Sequence, residues 1–309
     1  MRSILGIALA LTLSACGSGS GGGTGTLDLD IGDTPVDGAT HVMITVTGVE
    51  LQQGGTGTTD MDGMSMMDGM GMSMSGTSAQ EFDFAHPKTI DLLHEQGGAT
   101  AALLSGINVP TGQYSGIRLK LDPSKSSITL ADGSVHDLPL TVLNGASLQA
   151  NDLFQVQESG ASHLTIDFDL RQSVVQAGGA YQLQPRLRLI DDSQSGTIMG
   201  SAANTLSIGG SPISDPACKP AVYIYTGLGV QPVDIDNGAS VQPAATAALS
   251  LNDRTGTYDY KAAFLPPHTY TMALVCAGLD DPNKVDSLVF TTPLKADIAA
   301  RRTVVVDFR

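Results

Sequence analysis

The stretch SHLTIDFDL, residues 162–170, indicates the fold class because apolar and polar side chains alternate along it. The alternating residues are, in order, Leu164, Thr165, Ile166, Asp167, Phe168, Asp169 and Leu170. A period of two is typical of a β-strand that turns one face toward a core. The same period recurs, between Gly, Asn, Asp and Pro residues, in segments 27–31, 42–51, 117–121 and 181–189. We therefore predict an all-β chain of two antiparallel β-sandwich domains.

The polar positions of these strands carry charges of both signs. Asp167 and Asp169 have the spacing of paired carboxylates, and Arg186 and Arg188 have the same spacing in the next segment. An acid/base pair would need a cleft that perturbs its pKa values. A cross-strand ladder of opposite charges on a solvated face explains all four residues, and it is the interpretation we favour. Within segment 42–51 the apolar phase changes near Gly48, which predicts a β-bulge there.

The chain begins with the features of a secretory signal. Arg2 precedes an apolar run that ends in Leu-Ser-Ala-Cys at Cys16. The run is shorter than the stretch of about 20 residues that a membrane-spanning helix needs. Leu-Ser-Ala-Cys resembles the lipobox of bacterial lipoproteins, which implies a signal peptide at 1–15 and a lipid on Cys16. The alternative is an ordinary cleaved signal peptide with a coincidental cysteine.

A Gly/Ser-rich stretch follows the lipobox. Residues 16–25 have the composition of a flexible tether. Gly17 is similar to the second mature residue of lipoproteins that go on to the outer membrane. We expect a bacterial cell-envelope protein, attached to the membrane through Cys16, with the outer membrane as its location.

The two remaining cysteines form an even pair. In an oxidising envelope Cys218 and Cys276 are expected to form a disulfide. The alternative is two buried free thiols, since no Cys-x-x-Cys or Cys/His spacing indicates a redox or zinc site.

Composition and motifs argue against nucleic-acid binding and catalysis. The net charge is −15 and no basic patch is present, which disfavours nucleic acid, and we expect no nucleic-acid partner. The sequence lacks a zinc-protease His-Glu-x-x-His motif, a complete calcium loop, a phosphate loop and a nucleophile elbow. The six histidines are scattered, and each is interpreted as a surface or turn residue. We expect no enzyme activity.

Three separated blocks carry a family resemblance. They are HVMITVTGVELQ (41–52), IDLLHEQGGATAALLSGINVPTGQYSGIRLKLD (90–122) and DFDLRQSVVQAGGAYQLQPRLRLID (167–191). Together they resemble the DUF4382 family, a domain of unknown function common in bacterial envelope lipoproteins, over about residues 26–191. The resemblance implies an exported β-domain and brings no catalytic residues with it.

Residues 196–309 read as a second β-sandwich. GTIMGSA (196–202) and GTYDYKAAFLPPHTYTMALVC (256–276) resemble prealbumin-like modules of the carboxypeptidase-regulatory type. Residues 110–114, PTGQY, are echoed by residues 266–270, PPHTY, each before an alternating strand. The echo suggests two copies of a related sandwich.

A methionine-rich loop, residues 54–78, interrupts the family pattern. Its seven methionines are Met61, Met64, Met66, Met67, Met70, Met72 and Met74. Thioethers are soft, neutral ligands that favour Cu(I) or Ag(I). The alternatives are a biased disordered linker and a scavenger of oxidants.

These features predict a non-enzymatic envelope lipoprotein that acts as a binding or interaction module, with a protein or carbohydrate partner that the sequence does not name. A Cu(I)- or Ag(I)-binding protein that uses the methionine-rich loop is the alternative function. No cofactor is expected beyond that possible Cu(I).

Overall fold

The computed structural model describes residues 23–34, 39–54, 79–141, 147–235, 240–279 and 285–309. The predicted signal peptide at 1–15, Cys16, most of the tether at 16–25 and all seven methionines of the 54–78 loop lie outside these residues. Their predictions therefore stay predictions.

The described residues form short strands joined by turns. The strands are β1 (Thr24–Thr34), β2 (Ala39–Gln53), β3 (Ala79–Asp91), β4 (Ala101–Pro110), β5 (Gly112–Leu121), β6 (Ser127–Leu130), β7 (Val135–Asp137), β8 (Ser147–Ala150), β9 (Phe154–Val156), β10 (Ala161–Asp169), β11 (Val174–Ala177), β12 (Ala180–Leu183), β13 (Leu187–Asp191), β14 (Gly196–Ala203), β15 (Ser207–Ile208), β16 (Ser211–Pro212), β17 (Pro220–Thr226), β18 (Ala245–Ala248), β19 (Ser250–Asn252), β20 (Thr257–Leu265), β21 (Thr269–Cys276), β22 (Leu294–Asp297) and β23 (Thr303–Val305). One α-helical turn, α1, spans Leu170–Ser173, and 3-10 turns span Leu92–His94, Pro123–Lys125, Asp192–Gln194 and Ala277–Leu279. No helix in this described part is long and apolar enough to cross a membrane.

The N-terminal part of the chain, residues 23–194, is a sandwich of two sheets. One sheet has the strand order β13-β10-β1-β4. The other has the order β7-β6-β2-β5-β8, with β3 beside β2 and β9 beside β5. Buried side chains from both sheets form one cluster, whose largest members include Tyr114, Phe168 and Leu27. The apolar face of each strand therefore points toward the opposite sheet.

The C-terminal part, residues 195–309, repeats this connectivity. Its sheets have the orders β19-β20-β14-β23 and β18-β17-β21-β22. In both parts the first strand, β1 or β14, lies between an antiparallel strand and a parallel one. The antiparallel neighbours of these first strands are β4 and β20. The next strand along the chain, β5 or β21, belongs to the other sheet of its sandwich. All-β sandwich architecture is thus confirmed, and the pairs β1–β10 and β14–β23 add parallel pairing to the predicted antiparallel sheets.

A buried tyrosine marks the same position in the two parts. The Tyr114 hydroxyl donates to the Pro110 carbonyl oxygen at 2.8 Å, and the Tyr270 hydroxyl donates to the Pro266 carbonyl oxygen at 2.8 Å. This is the geometry of a tyrosine corner, in which the hydroxyl bonds to backbone a few residues upstream. The echo between residues 110–114 and 266–270 therefore reflects one structural device used twice. The domain boundaries at 26–191 and 196–309 stay a prediction.

Local alternation predicts the inward faces well. The apolar residues of β1, β2 and β5 are buried, as expected. The pairing of β2 with β3 and with β5 shifts register between Val46 and Gly48, so the predicted bulge is confirmed. Segment 181–189 is not one strand. It divides into β12, which pairs with β11, and β13, which pairs with β10, because Pro185 between them cannot donate to a ladder.

The predicted disulfide is present. Cys218 and Cys276 are bonded, with their Cα atoms 4.4 Å apart. Cys276 ends β21 and pairs with Pro220, the first residue of β17. The bond therefore fastens the turn before β17 to the end of the neighbouring strand.

Candidate ligand-binding cleft

A cleft of about 370 Å³ lies between the two parts of the chain. One wall comes from the β10-β1 face and the turn after the first 3-10 helix, and the other comes from β18 and β20. The lining residues used below are Asp33, Gly98, Asp167, Arg188, Thr246, Asp259, Lys261 and Phe264. A volume of this size falls at the lower end of the range of small-molecule sites, about 300–1,000 Å³.

The N-terminal wall carries a salt bridge. Asp167 on β10 and Arg188 on β13 are direct cross-strand partners. The Arg188 Nε donates to the Asp167 Oδ2 at 3.0 Å, and Arg188 Nη2 donates to the same oxygen. Burial by itself would lower the pKa of Arg188, but the neighbouring carboxylate of Asp167 outweighs it and the pKa is raised. The predicted cross-strand pairing of opposite charges is thus correct for Asp167 and Arg188.

The predicted solvated face is wrong for the two carboxylates and correct for Arg186, which is exposed. Asp167 and Asp169 are both buried: Asp167 lies in the cleft facing the C-terminal part of the chain, and Asp169 lies at the start of α1. Sequence alternation cannot show that Asp167 is covered, since the lining residues of β18 and β20 lie more than 70 positions further along the chain. The sheet face around Asp167 has the alternation of an exposed face, but it faces the C-terminal part of the chain across the cleft.

Asp169 has a structural role. Its Oδ1 accepts a hydrogen bond from the Gln172 backbone N at 3.1 Å, and its Oδ2 accepts one from Gln172 Nε2 at 2.7 Å. The side chain therefore caps the short helix α1. Burial raises the pKa of Asp169. Because Asp169 is held by this cap and Asp167 is held by Arg188, the two carboxylates do not form an acid/base pair.

Thr246 on β18 contributes a buried hydroxyl to the C-terminal wall. Its side chain is only 4% exposed. Among the described residues, its Oγ1 has no hydrogen-bond partner. Buried polar atoms in folded proteins nearly always have a partner from the protein or from ordered water. The cleft wall at Thr246 therefore contains a covered hydroxyl whose hydrogen-bonding capacity is unused among the described residues.

The acidic side chain of the same wall is already engaged. Asp259 on β20 accepts hydrogen bonds from Asn252 Nδ2 at 2.6 Å and from Thr257 Oγ1 at 2.8 Å. Lys261, two residues along the strand, also lines the cleft. The two walls together present charges of both signs.

A distorted residue lies where the two parts meet. Phe264 has φ of 58°, which is unusual for a bulky side chain. It lies where the pairing of β14 with β20 shifts register, and such a bulge redirects a side chain. A Cβ on Gly32 would lie 3.6 Å from the Phe264 ring, and one on Gly98 would lie 2.9 Å from the Ala263 Cβ. The glycines thus allow close contact between the two parts.

A second group of polar residues comes together far from this cleft. His41, Asp91 and His94 are close enough to share a ligand, although the sequence gives no sign that residues 50 positions apart meet. The only local signal is the Asp91-x-x-His94 spacing, which a turn would place on one side. His41 and His94 are exposed, as predicted for surface or turn residues, but the prediction of scattered histidines does not show that these two come together.

Residues 24–185 match the protein-family model described as "Domain of unknown function (DUF4382)". This is just over half of the chain. The chain belongs to the DUF4382 family. The resemblance over residues 26–191 is therefore confirmed, and the cleft joins the family domain to the residues that follow it. A comparison with curated proteins gives no significant match.

Several solved structures share a distant likeness. A candidate adhesin from Bacteroides ovatus has 7% identity, covers 98% of each chain and gives a TM-score of 0.20. A candidate cell adhesion protein from Bacteroides fragilis has 12% identity, covers 91% of each chain and gives a TM-score of 0.21. A candidate polysaccharide-binding protein from Bacteroides thetaiotaomicron has 10% identity, covers 80% of this chain and 75% of its own, and gives a TM-score of 0.18. Likeness at this level carries no information about what the present chain binds.

Proposed function

We propose that this chain is a non-enzymatic binding protein of the bacterial cell envelope, and that it holds a carbohydrate in the cleft between its two parts. The observation that carries the proposal concerns Thr246: the residue lines the cleft, and its buried hydroxyl has no hydrogen-bond partner among the described residues. A buried hydroxyl left in this state costs about 1–3 kcal/mol. A ligand hydroxyl would remove that cost once the wall shifts to expose the Thr246 Oγ1, which is covered in this structure.

The other lining groups suit a sugar. Sugar hydroxyls can donate to carboxylates and accept from Arg188, Lys261 and the Thr246 hydroxyl, so a wall with both signs of charge can bind them at several points. The ring of Phe264 adds an apolar surface for the C–H face of a sugar. A few polar groups set into an otherwise small-residue wall are typical of a ligand site.

Binding is favoured over catalysis because the acidic groups are engaged. Asp167 is held by Arg188, Asp259 is held by Asn252 and Thr257, and Asp33 accepts from the Leu170 backbone N at 3.4 Å. A general acid or base must be able to reach the substrate and exchange a proton with it. These carboxylates instead fix the shape of the cleft walls.

The ligand is tested by screening the purified protein against a glycan array and measuring affinity for each hit by calorimetry. Thr246→Val keeps the side-chain shape and removes the hydroxyl, and Lys261→Met removes the charge. Each should weaken binding about tenfold, the equivalent of one hydrogen bond of about 1.4 kcal/mol. Lys125→Met, on an exposed turn outside the cleft, is the matched control and should bind like the wild type. The proposal fails if no glycan binds, if both cleft variants bind like the wild type, or if only proteins bind.

The envelope location rests on the lipobox-like sequence at Cys16 and on the disulfide, which is typical of oxidising compartments. We propose that Cys16 carries a lipid and that residues 16–25 tether the binding domain to the outer membrane. Changing Cys16→Ser should move the protein from the membrane fraction to the soluble fraction and remove lipid from the N-terminal peptide. Membrane retention of an unlipidated protein would contradict this assignment.

Cu(I) or Ag(I) binding is the second candidate function. The seven methionines lie in the connection between β2 and β3. The pairing of Gln52 with Ala79 brings the two ends of that connection together, which favours the gathering of several thioethers on one ion. Cu(I) titration against a chelating competitor tests it. Changing one Met→Ser should have little effect, whereas changing all seven should abolish binding. If the seven-fold variant binds like the wild type, the methionine-rich loop is a biased linker.

A further inference from the structure

A histidine pair flanks one carboxylate at the end of the β2–β3 hairpin opposite the methionine-rich loop. The Nδ1 of His41 lies 2.6 Å from the Oδ2 of Asp91, and the Nδ1 of His94 lies 3.3 Å from the same oxygen. The two imidazole rings meet edge to face, with their centroids 5.8 Å apart. All three ligand atoms lie within 4.8 Å of one another.

The backbone holds these groups in place. His41 belongs to β2, where it pairs with Thr129 of β6, and Asp91 ends β3 opposite Met43. His94 is fixed by the 3-10 turn Leu92–His94, which Asp91 caps. Residues 50 positions apart therefore meet because the hairpin register requires it.

The carboxylate is oriented by its second oxygen. The Asp91 Oδ1 accepts hydrogen bonds from the backbone N of Val42 at 3.1 Å and of Leu93 at 3.3 Å. These bonds leave Oδ2 directed at the two imidazoles. Hydrogen bonds of this kind to the non-ligating atoms are what set the ligands of protein metal sites in position.

We propose that His41, Asp91 and His94 form a surface site for a divalent transition-metal ion, Zn²⁺ or Cu²⁺. Metal bonds of about 2.0–2.1 Å at tetrahedral angles place ligand atoms about 3.3 Å apart. The separation from His94 to Asp91 already has this value, and the shorter one from His41 to Asp91 needs to open by only about 0.7 Å. Imidazole with one carboxylate favours Zn²⁺ or Cu²⁺ over the hard ions Ca²⁺ and Mg²⁺.

The site is open to solvent on one side. The side chain of Asp91 is 11% exposed, whereas those of His41 and His94 are 48% and 72% exposed. A site with three protein ligands and an accessible fourth position can exchange its ion or bind a further ligand. A structural site with four protein ligands is closed and cannot.

This site is separate from the methionine-rich loop. The hairpin pairs Met43 with Asp91 at one end and Gln52 with Ala79 at the other. At about 3.4 Å per residue the two ends lie about 30 Å apart. The two candidate sites also differ in chemistry, because thioethers favour Cu(I) and imidazoles favour divalent ions.

The test is calorimetric titration of Zn²⁺ into the full chain after chelator treatment. The wild type should bind one equivalent at this site, and His41→Ala and His94→Ala should each lose at least about tenfold in affinity, since even second-layer changes cost about 10–100-fold. His163→Ala is the matched control. This exposed histidine also lies beside a carboxylate, with its Nδ1 3.1 Å from the Asp28 Oδ2, but it has no second imidazole there.

Copper spectroscopy gives a readout that is independent of affinity. Electron paramagnetic resonance of the Cu²⁺ form should show two coordinating nitrogens in the wild type and one in each variant of the pair. Thermal unfolding of the metal-free variants confirms that they are folded. If His41→Ala and His94→Ala bind Zn²⁺ like the wild type, or if the wild type does not bind it, the three residues are only a hydrogen-bonded surface group.

Discussion

Replacing Thr246 by Val should make the protein more stable. Val has nearly the shape of Thr but no hydroxyl, so the change removes a polar atom without leaving a cavity. Thr246 is 4% exposed and its Oγ1 has no partner among the described residues. Almost the full cost of burying a hydroxyl therefore applies, and its removal should raise the free energy of unfolding by about 1–3 kcal/mol. A water molecule bound in the cleft brings the gain to the lower end of that range.

Thr271 provides the matched control with the opposite sign. This threonine, on β21 of the same sheet, is 3% exposed. Its Oγ1 donates to the Gly227 carbonyl oxygen at 2.7 Å and accepts from the Val230 backbone N at 3.2 Å. Thr271→Val leaves both backbone groups without this partner and should lower the free energy of unfolding by about 1–3 kcal/mol.

Urea unfolding of the two variants, followed by circular dichroism, measures both effects. We expect a higher urea midpoint for Thr246→Val and a lower one for Thr271→Val, with unchanged slopes. If Thr246→Val is destabilised as much as Thr271→Val, the Thr246 hydroxyl has a partner in the folded protein. It would then give no support to a ligand site.

Three further predictions concern the fold and its titration. Tyr114→Phe and Tyr270→Phe should each lower the free energy of unfolding by about 1–3 kcal/mol, because each leaves a corner carbonyl oxygen without its donor; no change in chemical unfolding would show that the repeated corner is not stabilising. Changing both Cys218 and Cys276 to Ser should cost about 4 kcal/mol, from the entropy of a loop spanning 58 residues, measured against the oxidised wild type, and equal stability would contradict it. Burial raises the pKa of Asp169 in the folded protein, whereas in the unfolded chain this carboxyl loses its proton near its ordinary pKa of about 3.9. The free energy of unfolding therefore falls as the pH rises from that value through the raised pKa of the folded state. Asp169→Asn should therefore become more stable relative to the wild type as the pH rises above about 4, and a difference that does not change with pH would contradict this.

The parts of the fold that could be predicted are those set by local alternation. The buried faces of β1, β5 and β10 follow from a period of two within a few residues, and the bulge at Gly48 follows from a break in that period. These features depend on neighbouring residues, so one sequence is enough to read them. The disulfide also followed, from an even pair of cysteines and the compartment.

The features that could not be predicted depend on distant residues. Asp167 reads as solvent-exposed because its own strand alternates, yet it is buried by residues far along the chain. The sequence does not indicate that the Thr246 hydroxyl lacks a hydrogen-bond partner, because only three-dimensional packing determines which polar groups lie within hydrogen-bond distance of it. His41 meets Asp91 only because of the hairpin register. Candidate sites in this chain arise where strands or sandwiches meet, which is where a single sequence is least informative.

Hydrogen–deuterium exchange with and without the best-binding glycan is the measurement that tests the carbohydrate site most directly. Exchange should slow in β18 around Thr246 and in the turn at Gly97 and Gly98, because these segments form the two walls of the cleft. Thr246→Val should show much weaker glycan-induced protection at the same glycan concentration, measured relative to the exchange of the unliganded variant, which its higher stability should slow. Protection confined to other surfaces, or none at saturating glycan, would contradict a carbohydrate site between the two parts of the chain.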